Sequence, residues 1–189
     1  MLQFTYKGSV FETESEFYGM LYLVSVSGKV LEIPDTYEGQ SVNSVYIEEN
    51  NTVNTNNLFE YCIVDSIFSS IEEIRIPASL QSMAVNRHIF LNLNKVIVDS
   101  ENKYFHIVDE RLLCTSDNSL MAYCGKEELD EYIIPEGIKE IGIGAFAYTK
   151  IHKIIFPSSV SSVELRCVDH SIFYKNLMIL LNLLELFMH

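Results

Sequence analysis

The stretch IRIPASLQSM at residues 74–83 decides the fold, because its pattern returns twice along the chain. The related stretches are YIIPEGIKEI at residues 132–141 and IIFPSSVSSV at residues 154–163. Each contains a proline after an apolar residue that ends a short β-prone run. All four prolines of the chain share this setting: Pro34, Pro77, Pro135 and Pro157. Because proline has no N–H and a fixed φ, it suits the point where a strand ends and the chain turns away.

The apolar residues around each proline keep one register. They stand six, three and one residues before it, as in Ile71, Ile74 and Ile76, then Leu129, Tyr132 and Ile134, then Ile151, Ile154 and Phe156. A further copy has Asp99 in place of proline, 22 residues after Pro77, and Pro157 likewise follows Pro135 by 22 residues. A unit this short can bury its apolar side only against its neighbours, so the period predicts a solenoid in which each unit contributes a short parallel strand.

Two interruptions separate the copies. The 43 residues from Pro34 to Pro77 contain the Asn-rich stretch EENNTVNTNN, which we expect to form a loop. The 36 residues from Asp99 to Pro135 exceed the period by 14, and residues 104–124 there predict an inserted β-hairpin.

A turn at Asp117-Asn118 within that hairpin would place Cys114 opposite Met121 and Cys124 opposite Arg111. This register makes a disulfide between Cys114 and Cys124 geometrically poor. We therefore expect the four cysteines to be mostly free thiols.

Composition and motifs exclude several classes of function. The 13 Lys and Arg residues face 26 Asp and Glu residues, and the net charge of −13 disfavours nucleic acid as a partner. The N-terminus has no signal-peptide pattern, and no apolar run reaches the roughly 18 residues of a membrane span. We expect no enzyme activity or cofactor, because the sequence contains no Gly-rich phosphate loop and no nucleophile elbow. We expect no metal site, because Cys167 and His170 offer only two of the four ligands that structural zinc needs.

The repeats resemble the BspA-type leucine-rich repeats of bacterial surface proteins, which also occur in some protozoan parasites. The resemblance covers roughly residues 22–165 and includes the hairpin-bearing segment VIVDSENKYFHIVDERLLCTSDNSLMAY. It implies an α/β, β-rich, right-handed leucine-rich-repeat solenoid, with one parallel sheet of short strands, short helical pieces opposite it and an inserted hairpin. Two turns depart from the family pattern: Asp109-Glu110 replaces the usual Asp-Gly, and SMAVNRHIF lacks the glycine present in EIGIGAF.

We expect a single leucine-rich-repeat domain over residues 1–189. Residues 1–48 would form an N-terminal cap and first repeat, residues 66–165 the regular repeats with the hairpin insert at 104–124, and residues 166–189 a degenerate last repeat or cap. The resemblance implies a non-catalytic adhesion or protein-interaction module that is secreted or on the cell surface, although this chain begins without a signal peptide. The alternative is a structural spacer, or a fragment of a longer repeat protein, without a ligand of its own.

Strand alternation predicts which side chains face outward. The position four residues before the proline carries alternating charges at Glu73, Lys95, Glu131 and Lys153, which we interpret as structural pairs that favour the strand register. The position two residues before it carries Arg75, Ile97, Ile133 and Ile155, and this row is our candidate protein-contact or self-association surface. The alternative is that the hairpin or an end segment covers the isoleucines.

The C-terminal segment SIFYKNLMILLNLLELFMH also fits the register, through Met178, Leu181 and Leu183. It predicts a last rung or an apolar cap that closes the end of the core. An oligomer contact is the alternative, whereas a membrane anchor is disfavoured because the segment is short and contains Lys175 and Glu185.

Overall fold

The structure is a computed structural model that describes residues 1–47, 68–164 and 166–171. It is a β-rich solenoid of about six turns, as the repeat period predicts. The α/β label and the short helical pieces are wrong for these ranges, which contain strands and turns but no helix. The physical reason is that the segment after the proline forms a second short parallel strand, as at Ser82–Met83, so that only turns remain between the strands.

The first half of the described chain forms three sheets. Its strands are β1 (Leu2–Tyr6), β2 (Ser9–Thr13), β3 (Met20–Val26), β4 (Val30–Glu32), β5 (Thr36–Tyr37), β6 (Gln40–Ser41), β7 (Ser44–Ile47), β8 (Glu73–Ile76), β9 (Ser82–Met83) and β10 (Lys95–Val98). One sheet has the order β1-β2-β3-β7-β9, with antiparallel β1, β2 and β3 followed by parallel strands. The parallel sheet β4-β8-β10 and the hairpin β5–β6 complete this half.

The second half repeats the mixed five-stranded sheet and adds two two-stranded parallel sheets. Its strands are β11 (Phe105–Val108), β12 (Leu112–Thr115), β13 (Ser119–Tyr123), β14 (Glu128–Leu129), β15 (Tyr132–Ile133), β16 (Glu140–Ile141), β17 (Lys150–Ile151), β18 (Ile154–Ile155) and β19 (Ser162–Val163). The sheet β11-β12-β13-β16-β19 again has three antiparallel strands followed by parallel ones. Residues 104–124 are therefore part of a five-stranded sheet, rather than a hairpin appended to the solenoid.

Equivalent repeat positions lie side by side in the parallel sheets. Val98 pairs with Ile76, and Ile154 pairs with Tyr132, as the register around the prolines predicts. A second stack of parallel strands, which we did not predict, lies after the proline and pairs Met83 with Val45. The expected single sheet is thus one of several around each coil.

The core is divided into two clusters. Ile76 and Val98 belong to the first cluster, whereas Ile134 and Phe156 belong to the second. These four residues, which occupy the same position of the repeat, therefore do not form one continuous hydrophobic column, because β10 and β15 lie in different sheets.

The strands β12 and β13 form a wall between the two clusters. Leu113 and Ala122 face the first cluster, whereas Leu112 and Leu120 face the second. A strand that is buried on both faces needs apolar residues at successive positions, which accounts for the uninterrupted run LLC in β12.

The loop between β12 and β13 differs by one residue from the predicted turn. The Asn118 amide donates to the Thr115 carbonyl at 2.9 Å, and Asn118 has a φ of 67°. This pattern is typical of a three-residue hairpin loop that ends in a left-handed residue. It shifts the register, so that Cys114 lies opposite Leu120 instead of Met121, while the Cys124 amide still donates to the Arg111 carbonyl at 2.6 Å.

The cysteines of the wall are buried free thiols that face different clusters. Cys114 lies in the second cluster and Cys124 in the first. Burial raises the pKa of each thiol to about 12, so both are protonated at neutral pH. Cys167 is also a buried free thiol.

The turn between β11 and β12 takes a left-handed conformation at both central residues. Asp109 has a φ of 51° and Glu110 a φ of 57°. Lys7 and Gly8 have the same geometry between β1 and β2, with φ values of 45° and 83°. Two positive φ values define the type I′ turn, in which residues with a Cβ atom are strained.

We expect Glu110→Gly to raise the free energy of unfolding by about 1 kcal/mol, because glycine adopts this φ without steric strain. Urea unfolding followed by circular dichroism measures the change. The matched control is Glu101→Gly in another exposed turn without a positive φ, which should lose about 0.5–1 kcal/mol through the added freedom of the unfolded chain. Equal losses in both variants would contradict this account of the turn.

Arg87 joins the two halves of the solenoid. Its side chain is only 3% exposed, and it donates hydrogen bonds to backbone carbonyls of both halves. Nε donates to Ala147 at 2.6 Å, Nη1 to Leu93, Tyr123 and Gly125 at 2.6, 3.1 and 3.3 Å, and Nη2 to Leu91 at 3.1 Å. Burial lowers the pKa of Arg87 because no carboxylate of the described residues pairs with it.

The neighbouring turn residues extend this junction. The Arg87 amide donates to the Gly144 carbonyl at 3.2 Å, and the His88 ring lies so close that a Cβ at position 144 would be 2.4 Å from its Cδ2. Burial lowers the pKa of His88, although the Asp169 carboxylate 3.9 Å away opposes the shift. The segment SMAVNRHIF, which departs from the family pattern, therefore contains Arg87 and His88, the residues that connect the first half to the second.

Candidate interaction surface

The first part of the predicted contact row lies on the sheet β4-β8-β10. Arg75 on β8 and Ile97 on β10 are directly paired neighbours. The Ile97 side chain is 40% exposed, as expected for an outward position. This pair forms the outer end of the sheet, because β10 is its edge strand.

The second part of the row lies on the pair β15–β18. Ile133 and Ile155 are direct neighbours, and Ile133 is 61% exposed while Ile155 is half-buried. The structure thus brings the four predicted residues together as two pairs on separate sheets. It does not align them in one row, because the wall of β12 and β13 comes between the sheets in the chain.

Ion pairs flank the exposed isoleucines. Lys95 Nζ lies 3.1 Å from Glu73, and Lys153 Nζ lies 2.6 Å from Glu131, so the alternating charges form pairs within each sheet. Arg75 is held by Nε 2.7 Å from Glu73 and by Nη1 3.2 Å from a second carboxylate, that of Glu32.

These ion pairs also lower the pKa values of the carboxylates that form them. The hydrogen bond from Arg75 is the main reason that the pKa of Glu73 is lowered, and Lys95 adds to the effect. Glu32 also pairs with Lys7, and its pKa is lowered chiefly by that bond. The predicted Arg75 therefore orders the surface through its pairs, instead of presenting a free charge.

The exposure of Ile133 leaves it accessible beside the hairpin strands, so the alternative that the hairpin covers it is not supported. The other proposed cover, the C-terminal segment from residue 172 onward, lies outside the described residues.

An aromatic pair on the first sheet was missed by the sequence analysis. Tyr22 on β3 pairs with Tyr46 on β7, their ring centroids are 5.7 Å apart, and Tyr46 is 49% exposed. The alternation in MLYLVSV contained the signal, because Leu21 and Leu23 are buried and so direct Tyr22 outward.

The described ranges contain neither a cluster of metal ligands nor a membrane-spanning helix. No group of three or more His, Cys, Asp or Glu residues there could hold a metal ion. Cys167 is buried in the second cluster, while the His170 ring stacks on Tyr148 with centroids 4.8 Å apart. Within the same ranges, no helix has the length and apolar character that crossing a bilayer requires.

Three solved structures resemble the chain. A leucine-rich cell surface protein from Faecalibacterium prausnitzii is 16% identical with a TM-score of 0.42, over 90% of this chain and 47% of that one. A leucine-rich repeat protein from Eubacterium ventriosum is 16% identical with a TM-score of 0.45, over 84% and 60%. The pneumococcal vaccine antigen PcpA is 13% identical with a TM-score of 0.38, over 89% and 68%. The chain thus covers about half of the first of these proteins.

No curated protein matches the chain. Residues 114–183 match the family model described as BspA type leucine rich repeat region, in six copies. This match covers β13 to β19, where the register around Pro135 and Pro157 is most regular, and it confirms the resemblance seen in the sequence. Over residues 114–183, the chain is thus similar to the BspA-type leucine-rich repeats.

Proposed function

We propose that the protein is a non-catalytic protein-interaction module that binds its partner through the exposed isoleucines Ile97 and Ile133. The observation that carries the proposal is the exposure of both side chains, 40% and 61%, on the outer faces of parallel sheets. Exposed apolar side chains on a rigid sheet gain free energy when a partner removes them from water.

The charges around the isoleucines support this use. Ile97 lies beside Arg75, and Ile133 follows Glu131, but both charged residues are already in ion pairs. A partner that covers the isoleucines therefore does not have to desolvate Arg75 or Glu131 as unpaired charges, a cost that often cancels the gain from apolar burial.

Adhesion is the more specific form of the proposal, and a secreted or cell-surface location goes with it. Both come from the resemblance to the BspA-type repeats of bacterial surface proteins. Self-association through the same isoleucines belongs to the proposal, because a second copy offers an equally apolar surface.

The test compares Ile133→Asp with Ile143→Asp, a control at a 53% exposed isoleucine outside the contact row. Sedimentation equilibrium measures self-association, and surface plasmon resonance measures binding to a panel of purified extracellular proteins. We expect Ile133→Asp to weaken the observed association about tenfold or more, because burying an isoleucine contributes about 1.5–3 kcal/mol. Ile143→Asp should keep the wild-type affinity.

Equal affinities of the two variants would overturn the contact surface. A wild-type protein that is monomeric and binds nothing in the panel would favour the alternative, a structural spacer.

A further inference from the structure

A cleft of about 330 Å³ lies beside Arg87, where the two halves of the solenoid meet. Asn92 and Asn94 line it from the first half, and Lys126 and Lys150 from the second. The cleft is distinct from the isoleucine surface, since its lining includes neither Ile97 nor Ile133.

The cations of this cleft lack acidic partners. Lys126 and Lys150 form no ion pair with any described residue, and neither does the buried Arg87. Seven of the twelve lysines and arginines in the described ranges form ion pairs with a carboxylate. Three unpaired cations around one cleft therefore create a local positive potential against the overall charge.

Glu72, the one acidic residue among the described residues that line the cleft, already has partners. The Glu72 carboxylate lies 2.6 Å from Lys29 Nζ and accepts a long hydrogen bond, 3.5 Å, from Asn94 Nδ2. Its pKa is lowered chiefly by the bond to Lys29, with a smaller contribution from the charge of Lys126. The nearby carboxylates of Glu127 and Glu128 are bound to Arg111 and His152. Among the described residues, Arg87, Lys126 and Lys150 therefore have no carboxylate in ion-pair contact.

The cleft also offers hydrogen-bond donors. Arg87 Nη2 carries two N–H groups and uses one, in the bond to the Leu91 carbonyl. The amide of Asn92 donates to the Ser69 carbonyl at 2.7 Å and keeps a second N–H. Guanidinium, ammonium and amide donors around one space are the groups that proteins use to hold phosphate and sulfate.

We propose that this cleft binds a doubly charged oxyanion, phosphate or sulfate, either free or as the terminal group of a small ligand. Arg87 and the two lysines neutralise its charge, and the side-chain amides orient its oxygens. A singly charged carboxylate would leave more of the positive charge uncompensated, so we expect it to bind more weakly.

The test is a titration of isotope-labelled protein with sodium phosphate, sodium sulfate or sodium acetate at pH 7.5, followed by NMR with ionic strength held constant by sodium chloride. We expect saturable shifts of the side-chain amide signals of Asn92 and Asn94 with phosphate or sulfate, and weaker binding of acetate. Lys150→Gln should weaken the binding about fivefold, since a partly exposed pair of charges contributes only modestly to the binding free energy. The double variant with Lys126→Gln should bind more weakly still. Neither lysine supports the fold through an ion pair, so both variants should remain folded.

The matched control is Lys103→Gln, which removes the same charge at an exposed lysine away from the cleft. It should leave the affinity unchanged. An absence of saturable shifts with both phosphate and sulfate would overturn the proposal, as would an equal loss of affinity in Lys103→Gln. Neither result depends on Ile133, so this proposal and the protein-interaction proposal can fail separately.

Discussion

Arg87→Met should lower the free energy of unfolding by about 3 kcal/mol or more, the largest loss that we expect from a single polar side chain in this protein. Methionine fills a similar volume but donates no hydrogen bond. The carbonyls of Leu93, Tyr123 and Ala147 would then lose their bonds to a guanidinium group in an almost fully buried position. Leaving buried carbonyls without partners has a larger cost than the loss of an exposed charge.

The measurement is urea unfolding followed by circular dichroism, with Arg75→Met as the control. Arg75 makes two ion pairs at the surface, and we expect its replacement to cost no more than about 1 kcal/mol. Arg87→Lys should also be destabilised, because a lysine cannot reproduce the planar set of donors. Similar losses at the buried and the exposed arginine would contradict the role of Arg87 as the link between the halves.

Phe146→Ala is the second substitution with a large expected effect, a loss of about 3–5 kcal/mol. Phe146 is fully buried in the second cluster, where its ring stacks on Tyr123 with centroids 5.6 Å apart and lies 6.3 Å from Tyr132. Removing the ring loses its apolar burial and leaves a cavity between Tyr123 and Tyr132. Hydrogen bonds hold both tyrosines in place, since Arg111 donates to the Tyr123 hydroxyl and the Tyr132 hydroxyl donates to Asp109. The surroundings can therefore collapse only partly.

Differential scanning calorimetry compares this variant with Phe156→Ala, which removes a half-buried ring at the margin of the same cluster. We expect the control to lose less than half as much stability, in keeping with its smaller buried area. Equal losses would mean that the second cluster is not centred on Phe146.

The sequence predicts the solenoid well because its signal is local and repeated. The proline after each strand and the apolar residues before it give the pairing of Ile76 with Val98 and of Tyr132 with Ile154. The second stack of strands was missed because it contributes only two residues per coil in several repeats, as at Ser82–Met83. The single-domain organisation stays a prediction.

The antiparallel strands were harder to predict. A strand with both faces buried shows no alternation, so LLC and its neighbours appeared to be an insert of unknown packing. The one-residue shift at Asn118 follows from a backbone conformation that asparagine tolerates but does not require. Neither feature leaves a periodic pattern in the sequence.

The sequence predicted which side chains of the candidate surface face outward, but not how they are distributed between the sheets. Alternation places Ile97 and Ile133 outward, as observed, whereas their division between two sheets depends on long-range packing. Arg87 was missed because its partners are backbone carbonyls, which any residue supplies. The only signal was an arginine close to Val85 and Phe90, two residues that are buried in the core.

The wall formed by β12 and β13 limits how the number of coils in such proteins can change during evolution. In an ordinary solenoid, a single coil can be lost or duplicated, because each coil meets only its two neighbours. Here Leu112 and Leu113 face opposite clusters, so deleting either half would expose one whole apolar face of the shared strands to water. Viable changes in length should therefore preserve this partition and add or remove coils at its far ends.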